Sequence, residues 1–219
     1  MKKKTMTALQ IRQELFERYP ALDACRGSID AAYQELLRCY RDAGKLLVAG
    51  NGGSCSDSEH ITGELMKSFL FHRALEPQFE RELTSAFGQE GQELAAQLEG
   101  GLPAIPLTAM SAISTAYAND VSGSATFAQL VHVLGAAGDV FLGISTSGNS
   151  ENIVKALMAA KAKGVRTIAL TGRSGGRCAQ QSDICIRVPE DETFKIQEYH
   201  LPVYHGLCAM LEADLFCER

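Results

Sequence analysis

One unit recurs four times along this chain: a short apolar run, a turn, and then helix-forming sequence. Lys45-Leu46-Leu47-Val48-Ala49 passes through Gly50-Asn51-Gly52-Gly53 toward a helix expected over about 56–69. Ala104-Ile105-Pro106-Leu107 precedes a helix at 111–118, Val140–Ile144 one that leaves Asn149, and Thr167–Leu170 one at 175–181. A last strand at 183–188 feeds a final helix from about 193 to 216. Such short apolar runs are buried on both faces, and strands joined through helices cross over right-handedly. The pattern therefore predicts a parallel sheet covered by helices on both sides. Pro106 has no N–H for a ladder, which moves its strand to an edge or a strand end. Residues 8–18 and 21–43 read as helices that precede the sheet. Ile29, Tyr33, Leu36, Leu37 and Tyr40 recur there at three- and four-residue steps. Segment 70–102 breaks the rhythm. It is rich in Glu and Gln, carries Gly88, Gly91, Gly100 and Gly101, and reads as a surface insertion with one helix near 90–98. The expectation is one domain over residues 1–219.

Composition narrows the function. Apolar residues make up 46 % and charged residues 21 %, enough for a core and against disorder. A formal net charge of −5 without a basic stripe argues against a nucleic-acid partner. No run approaches the length of a membrane span. Lys2-Lys3-Lys4 is followed by Thr5-Met6-Thr7, where a secretion signal would need apolar sequence. The seven cysteines are odd in number and form no CxxC pair. A reduced, cytoplasmic chain is expected.

The turn at Gly143-Ile-Ser-Thr-Ser-Gly-Asn-Ser150 carries the clearest chemistry. A strand enters it and a helix leaves it, so backbone N–H groups and the positive helix end face one spot. Ser145, Thr146, Ser147 and Ser150 can add hydroxyl donors there. Asn149 occupies the place of a Walker lysine, so one phosphate on a small molecule fits better than ATP. Gly50-Asn51-Gly52-Gly53-Ser54 is a second glycine-rich strand end. A dinucleotide fingerprint would need glycine at Cys55 and an acid after the next strand, where Leu107-Thr108-Ala109 offers none. No nucleotide cofactor is expected. His60 and Glu64 share a helix face one turn apart, a spacing that suits a metal, acid–base work or a plain surface pair. Gln197 and His205 are eight residues apart, about 12 Å along a regular helix. One metal reaches both only if that helix breaks near Pro202 or two subunits contribute.

Gly50–Ser54, His60-x-x-x-Glu64, Asn119-Asp120, Gly143–Ser150, Leu170–Gly172 and Gln197-Glu198 with His205 occur in the order of sedoheptulose-7-phosphate isomerases. The chain thus resembles the phosphoheptose isomerases of the sugar isomerase (SIS) domain superfamily over roughly residues 20–217. The resemblance implies a three-layer, doubly wound, five-stranded parallel sheet of flavodoxin-like form. It implies a homotetramer with residues 1–44 packed on the domain and at subunit contacts. Asn51, Gly52, Gly53, Ser54, Asn119, Asp120, Ser145, Thr146, Ser147, Ser150 and Gln197 would bind the phosphorylated sugar. Glu64 and His205 would be the acid–base pair, and His60, Glu64, Gln197 and His205 the ligands of a zinc ion. The implied reaction is aldose–ketose isomerisation through an enediolate, without nucleic acid or membrane. Non-catalytic relatives of the same fold, which sense sugar phosphates or associate with a replication initiator, form the alternative.

Overall fold

The computed structural model describes residues 6–216; the basic start Lys2-Lys3-Lys4 and Cys217 lie outside the described residues. Five strands form one parallel sheet: β1 (Leu46–Ala49), β2 (Ala104–Pro106), β3 (Val140–Ser145), β4 (Arg166–Thr171) and β5 (Ile184–Arg187), in the order β2-β1-β3-β4-β5. This is the flavodoxin-like doubly wound order. β2, which carries Pro106, is an edge strand as expected. Register runs Leu46 beside Val140 and Val140 beside Arg166.

Alternation along the strands divides the core in two. Leu46, Val48, Leu142, Ile144, Ile168 and Leu170 face one side. That side is covered by α1 (Ala8–Arg18), α2 (Arg26–Arg41), α3 (Gly53–Met66) and α9 (Thr193–Phe216). Leu47, Ala49, Phe141 and Ala169 face the other. There the cover is α6 (Thr126–Leu134) and α7 (Glu151–Ala162), with Cys178 of the short α8 (Gly176–Gln181).

Three elements depart from the expected outline. α3 begins at Gly53 rather than 56, which leaves a loop of only Gly50-Asn51-Gly52 after β1. α6 is not among the expected elements, although Phe127, Leu130, Val131 and Leu134 have the i, i+3, i+4, i+7 spacing of a buried stripe. The segment expected to hold one helix near 90–98 holds α4, Pro77–Ala95, broken at Gly88, where φ is 59°. Its two arms fold on each other, Gly91 lying against the Leu83 carbonyl. The short α5 (Ser111–Tyr117) leads into a single wide turn at 118–122.

Candidate active site

The strand order reverses between β1 and β3, so the helices that follow them leave on opposite faces. A crevice opens at the carboxyl ends of these two strands, where doubly wound sheets take their ligands. Gly50-Asn51-Gly52 forms one lip. Gly52 caps α3 with φ 56° and ψ −120°, a conformation that a side chain would forbid. The Ser54 N–H donates to the Asn51 carbonyl at 3.0 Å, and Ser54 is buried in the first turn of α3.

Ser145 to Ser150 forms the other lip. The Ser145 and Ser150 hydroxyls lie 2.9 Å apart, and the Gly148 N–H donates to the Ser145 carbonyl at 3.0 Å. Gly148 has φ 67° and packs on the Gly175 carbonyl, leaving no space for a Cβ. Asn149 has a structural task where a Walker loop would carry lysine. Its N–H donates to Ser147 Oγ at 3.2 Å, and its Oδ1 accepts the Arg177 N–H at 3.0 Å. The lips are tied together by Asn51 and Asn152, whose amides bond each other at 3.0 and 2.8 Å. Ser147 and Asn51 stay exposed to the crevice.

Helices α3 and α9 lie side by side and run in the same direction. The Gln197 amide sits against Gly53, with Nε2 2.5 Å from where a Cβ would stand. Two turns further along, His205 meets His60, their Nε2 atoms 3.4 Å apart. Glu64 Oε1 lies 3.2 Å from His60 Nε2. Its Oε2 is buried without a hydrogen-bond partner, with Lys67 Nζ 3.9 Å away. Tyr204 Oη donates to Asp57 Oδ1 at 3.2 Å and lies 3.1 Å from His60 Nδ1. Burial lowers the His205 pKa and the nearby His60 adds to this, while Glu64 pulls it the other way. Burial raises the Asp57 carboxyl against the opposing pull of the Tyr204 hydroxyl and His60.

The cluster has a rigid back. Arg73, fully buried, donates to the Glu64 carbonyl at 2.9 Å, the Leu65 carbonyl at 2.5 Å and Glu212 Oε1 at 2.7 Å. Glu212 also accepts the Phe69 and Leu70 N–H groups, each at 2.7 Å. This pins the end of α3 to α9 just behind Glu64.

His60, Glu64 and His205 thus meet within one chain. α9 runs unbroken through Pro202, and Gln197 lies at the glycine loop, so the helix break that would bring it to His205 does not occur. Asn119 and Asp120 are exposed on the turn after α5, where the Asn119 amide donates to Asp120 Oδ1 at 2.8 Å. No hydrogen bond among the described residues ties them to either lip. A cavity of about 590 Å³ opens beside His205, lined by Leu15, Phe69 and Pro202 among others. Its walls are mainly apolar and include no residue of the serine loop, so the crevice suits a sugar phosphate better. Sequence reasoning missed Asp57 and Tyr204; the signal for Asp57 was its place one turn before His60.

Metal fit rests on the donor set. Around a tetrahedral zinc with bonds of about 2.0–2.1 Å, neighbouring donors are about 3.3–3.4 Å apart. The His60–Glu64 and His60–His205 separations of 3.2 and 3.4 Å have that length, and the buried Glu64 Oε2 has no hydrogen-bond partner, its nearest cation being Lys67 Nζ at 3.9 Å. Among the described residues, however, no group of three or more His, Cys, Asp or Glu side chains is placed to hold a metal ion.

The structure is thus a doubly wound domain with a serine-lined crevice at the strand ends and His60, Glu64 and His205 gathered along the adjoining helices. The SIS domain family matches residues 92–172. The phosphoheptose isomerase of Aneurinibacillus thermoaerophilus is 38% identical over 188 residues, covering 86% of this chain and 82% of that protein. A phosphoheptose isomerase structure from Francisella tularensis superposes with TM-score 0.71 at 32% identity, covering 94% of this chain and 99% of that one. The Neisseria gonorrhoeae phosphoheptose isomerase structure gives TM-score 0.69 at 31% identity, covering 94% and 93%. The chain belongs to the phosphoheptose isomerase family. It is a phosphosugar isomerase.

Proposed function

We propose that the chain interconverts sedoheptulose 7-phosphate and D-glycero-D-manno-heptose 7-phosphate. One observation carries this reading: a buried Glu64 carboxylate oxygen without a hydrogen-bond partner stands beside two imidazoles, well along α3 from the phosphate-type crevice. From Gly53 to His60 is seven residues, about 10 Å along the helix. An extended seven-carbon phosphate ester is also about 10 Å long at covalent bond lengths near 1.5 Å. The relatives named as phosphoheptose isomerases support the same substrate.

In this reading Asn51, Gly52, Gly53, Ser54, Ser145, Thr146, Ser147 and Ser150 hold the phosphate end, using N–H groups and hydroxyls. Gln197, between the loop and His205, contacts the sugar hydroxyls; Asn119 and Asp120 reach it from the turn after α5. Glu64 takes the proton from the carbon beside the carbonyl, and the electron pair moves into an enediolate. His205 moves the proton between the two oxygens, and Glu64 returns its proton to the adjacent carbon. Fixing the phosphate turns binding energy into alignment of the reacting carbons.

His60, Glu64 and His205 would hold a zinc ion, with Gln197 reaching it only from a second subunit since α9 does not break; the ion would supply Lewis-acid stabilisation during the proton transfer. We also propose a cytoplasmic homo-oligomer, a tetramer by family resemblance.

The test is turnover against sugar phosphates from three to seven carbons. The heptose phosphates are the expected substrates. Binding of these without turnover of any would place the chain with the non-catalytic members of its fold.

A further inference from the structure

Asp57, His60 and Glu64 lie one turn apart on α3, and Tyr204 faces the first two from α9. Tyr204 is buried, and its ring stands edge-on to both His60 and His205, with centroids 5.5 and 5.0 Å apart. Its hydroxyl has one proton and two partners, Asp57 Oδ1 at 3.2 Å and His60 Nδ1 at 3.1 Å. An ionised carboxylate only accepts, so the phenol proton goes to Asp57. The phenol oxygen must then accept from His60, which needs a proton on Nδ1.

We propose that Tyr204 is a positioning residue that relays Asp57 to His60 and holds its ring as the Nδ1–H tautomer. The lone pair on Nε2 then points at Glu64 and His205. This rests on reading His60, Glu64 and His205 as the reactive end of the site. It explains why three acceptor-type atoms meet at 3.2 and 3.4 Å: each is prepared to face a positive species rather than one another. Histidines at such centres are commonly held through their second nitrogen by an outer partner. Here the link is a phenol with a carboxylate behind it. Its position next to His205 in sequence lets one turn of α9 carry both a reacting imidazole and the brace for another.

The test is ¹⁵N NMR of the imidazoles in metal-free protein at about pH 8, above the ordinary imidazole range. In the wild type, His60 should show a protonated Nδ1 and an unprotonated Nε2. Tyr204→Phe removes only the oxygen and should shift His60 toward the Nε2–H form; Asp57→Asn should do so in part, with Tyr204 still present to fill the core. Turnover should fall by about 10- to 100-fold in Tyr204→Phe, with KM nearly unchanged. A wild-type His60 already in the Nε2–H form, or a tautomer unmoved by both substitutions, overturns the relay. Neither NMR result depends on which sugar phosphate is turned over, so failure of the substrate reading remains separate.

Discussion

Asn152, at the start of α7, holds Asn51 from across the crevice through two amide hydrogen bonds of 3.0 and 2.8 Å. The pair joins the loops after β1 and β3, which share no other side-chain bond among the described residues. Asn152 also accepts the Ile153 N–H at 3.0 Å, so its amide is fixed from its own helix. Asn152→Ala frees the glycine loop. Because the pair is exposed, its loss costs about 1 kcal/mol, seen as roughly a fivefold rise in KM for the sugar phosphate. Steady-state kinetics should find kcat changed by less than about twofold.

Glu64→Gln keeps the shape of the side chain and removes its ability to take a proton. kcat should fall by at least about 100-fold, with sugar-phosphate affinity by calorimetry held within about threefold. A variant that keeps most of its kcat would remove Glu64 from the role of base.

The Arg73–Glu212 pair makes its own prediction. Both side chains are fully buried, so Arg73→Met strands a carboxylate in the core. Breaking such a pair costs about 3–5 kcal/mol. For a chain of this size that lowers Tm by roughly 6–20 °C. The double variant Arg73→Met/Glu212→Met removes the unpaired charge but leaves the Phe69 and Leu70 N–H groups and the Glu64 carbonyl without these partners, so a thermal melt should show only part of the loss regained.

His200 predicts an acid-sensitive fold. Both ring nitrogens are buried without a well-formed hydrogen bond, and burial brings the pKa down to about 4, with a weak interaction with the Thr171 backbone opposing in part. The unfolded chain takes up this proton below about pH 6.5, whereas the folded chain does so only near 4. The stability present above 6.5 is therefore lost as pH falls toward 4, by roughly 2 kcal/mol at about pH 5. Urea unfolding at about pH 7 and about pH 5 should give a smaller difference for His200→Leu than for the wild type.

Much of this was legible because the chemistry of the strand ends is local. The serine turn between β3 and α7 could be placed from local sequence alone, and Pro106 pointed to an edge or a strand end, where β2 lies. What depended on helix-to-helix register was not legible. Nothing in the spacing of Gln197 and His205 says that α3 runs beside α9 in the same direction, putting the first at Gly53 and the second at His60. Tyr204 gives no sign of a role in the sequence until Asp57 is seen opposite it. α6 was hidden for a different reason: its nine residues are too few for the periodic signal to stand out beside the turn at Ser122-Gly123-Ser124.

The two-armed α4 leaves the domain and returns to it through a closed neck. The Gly100 N–H donates to the Arg73 carbonyl at 3.1 Å, the Ser68 N–H donates to Glu99 at 2.9 Å, and the Leu102 N–H donates to the Leu65 carbonyl at 2.9 Å. The span from α3 to β2 is therefore set at the neck and does not depend on how much chain lies beyond it. Length can be spliced in or cut out above this seam while Glu64, the sheet edge and the distance between them stay where they are.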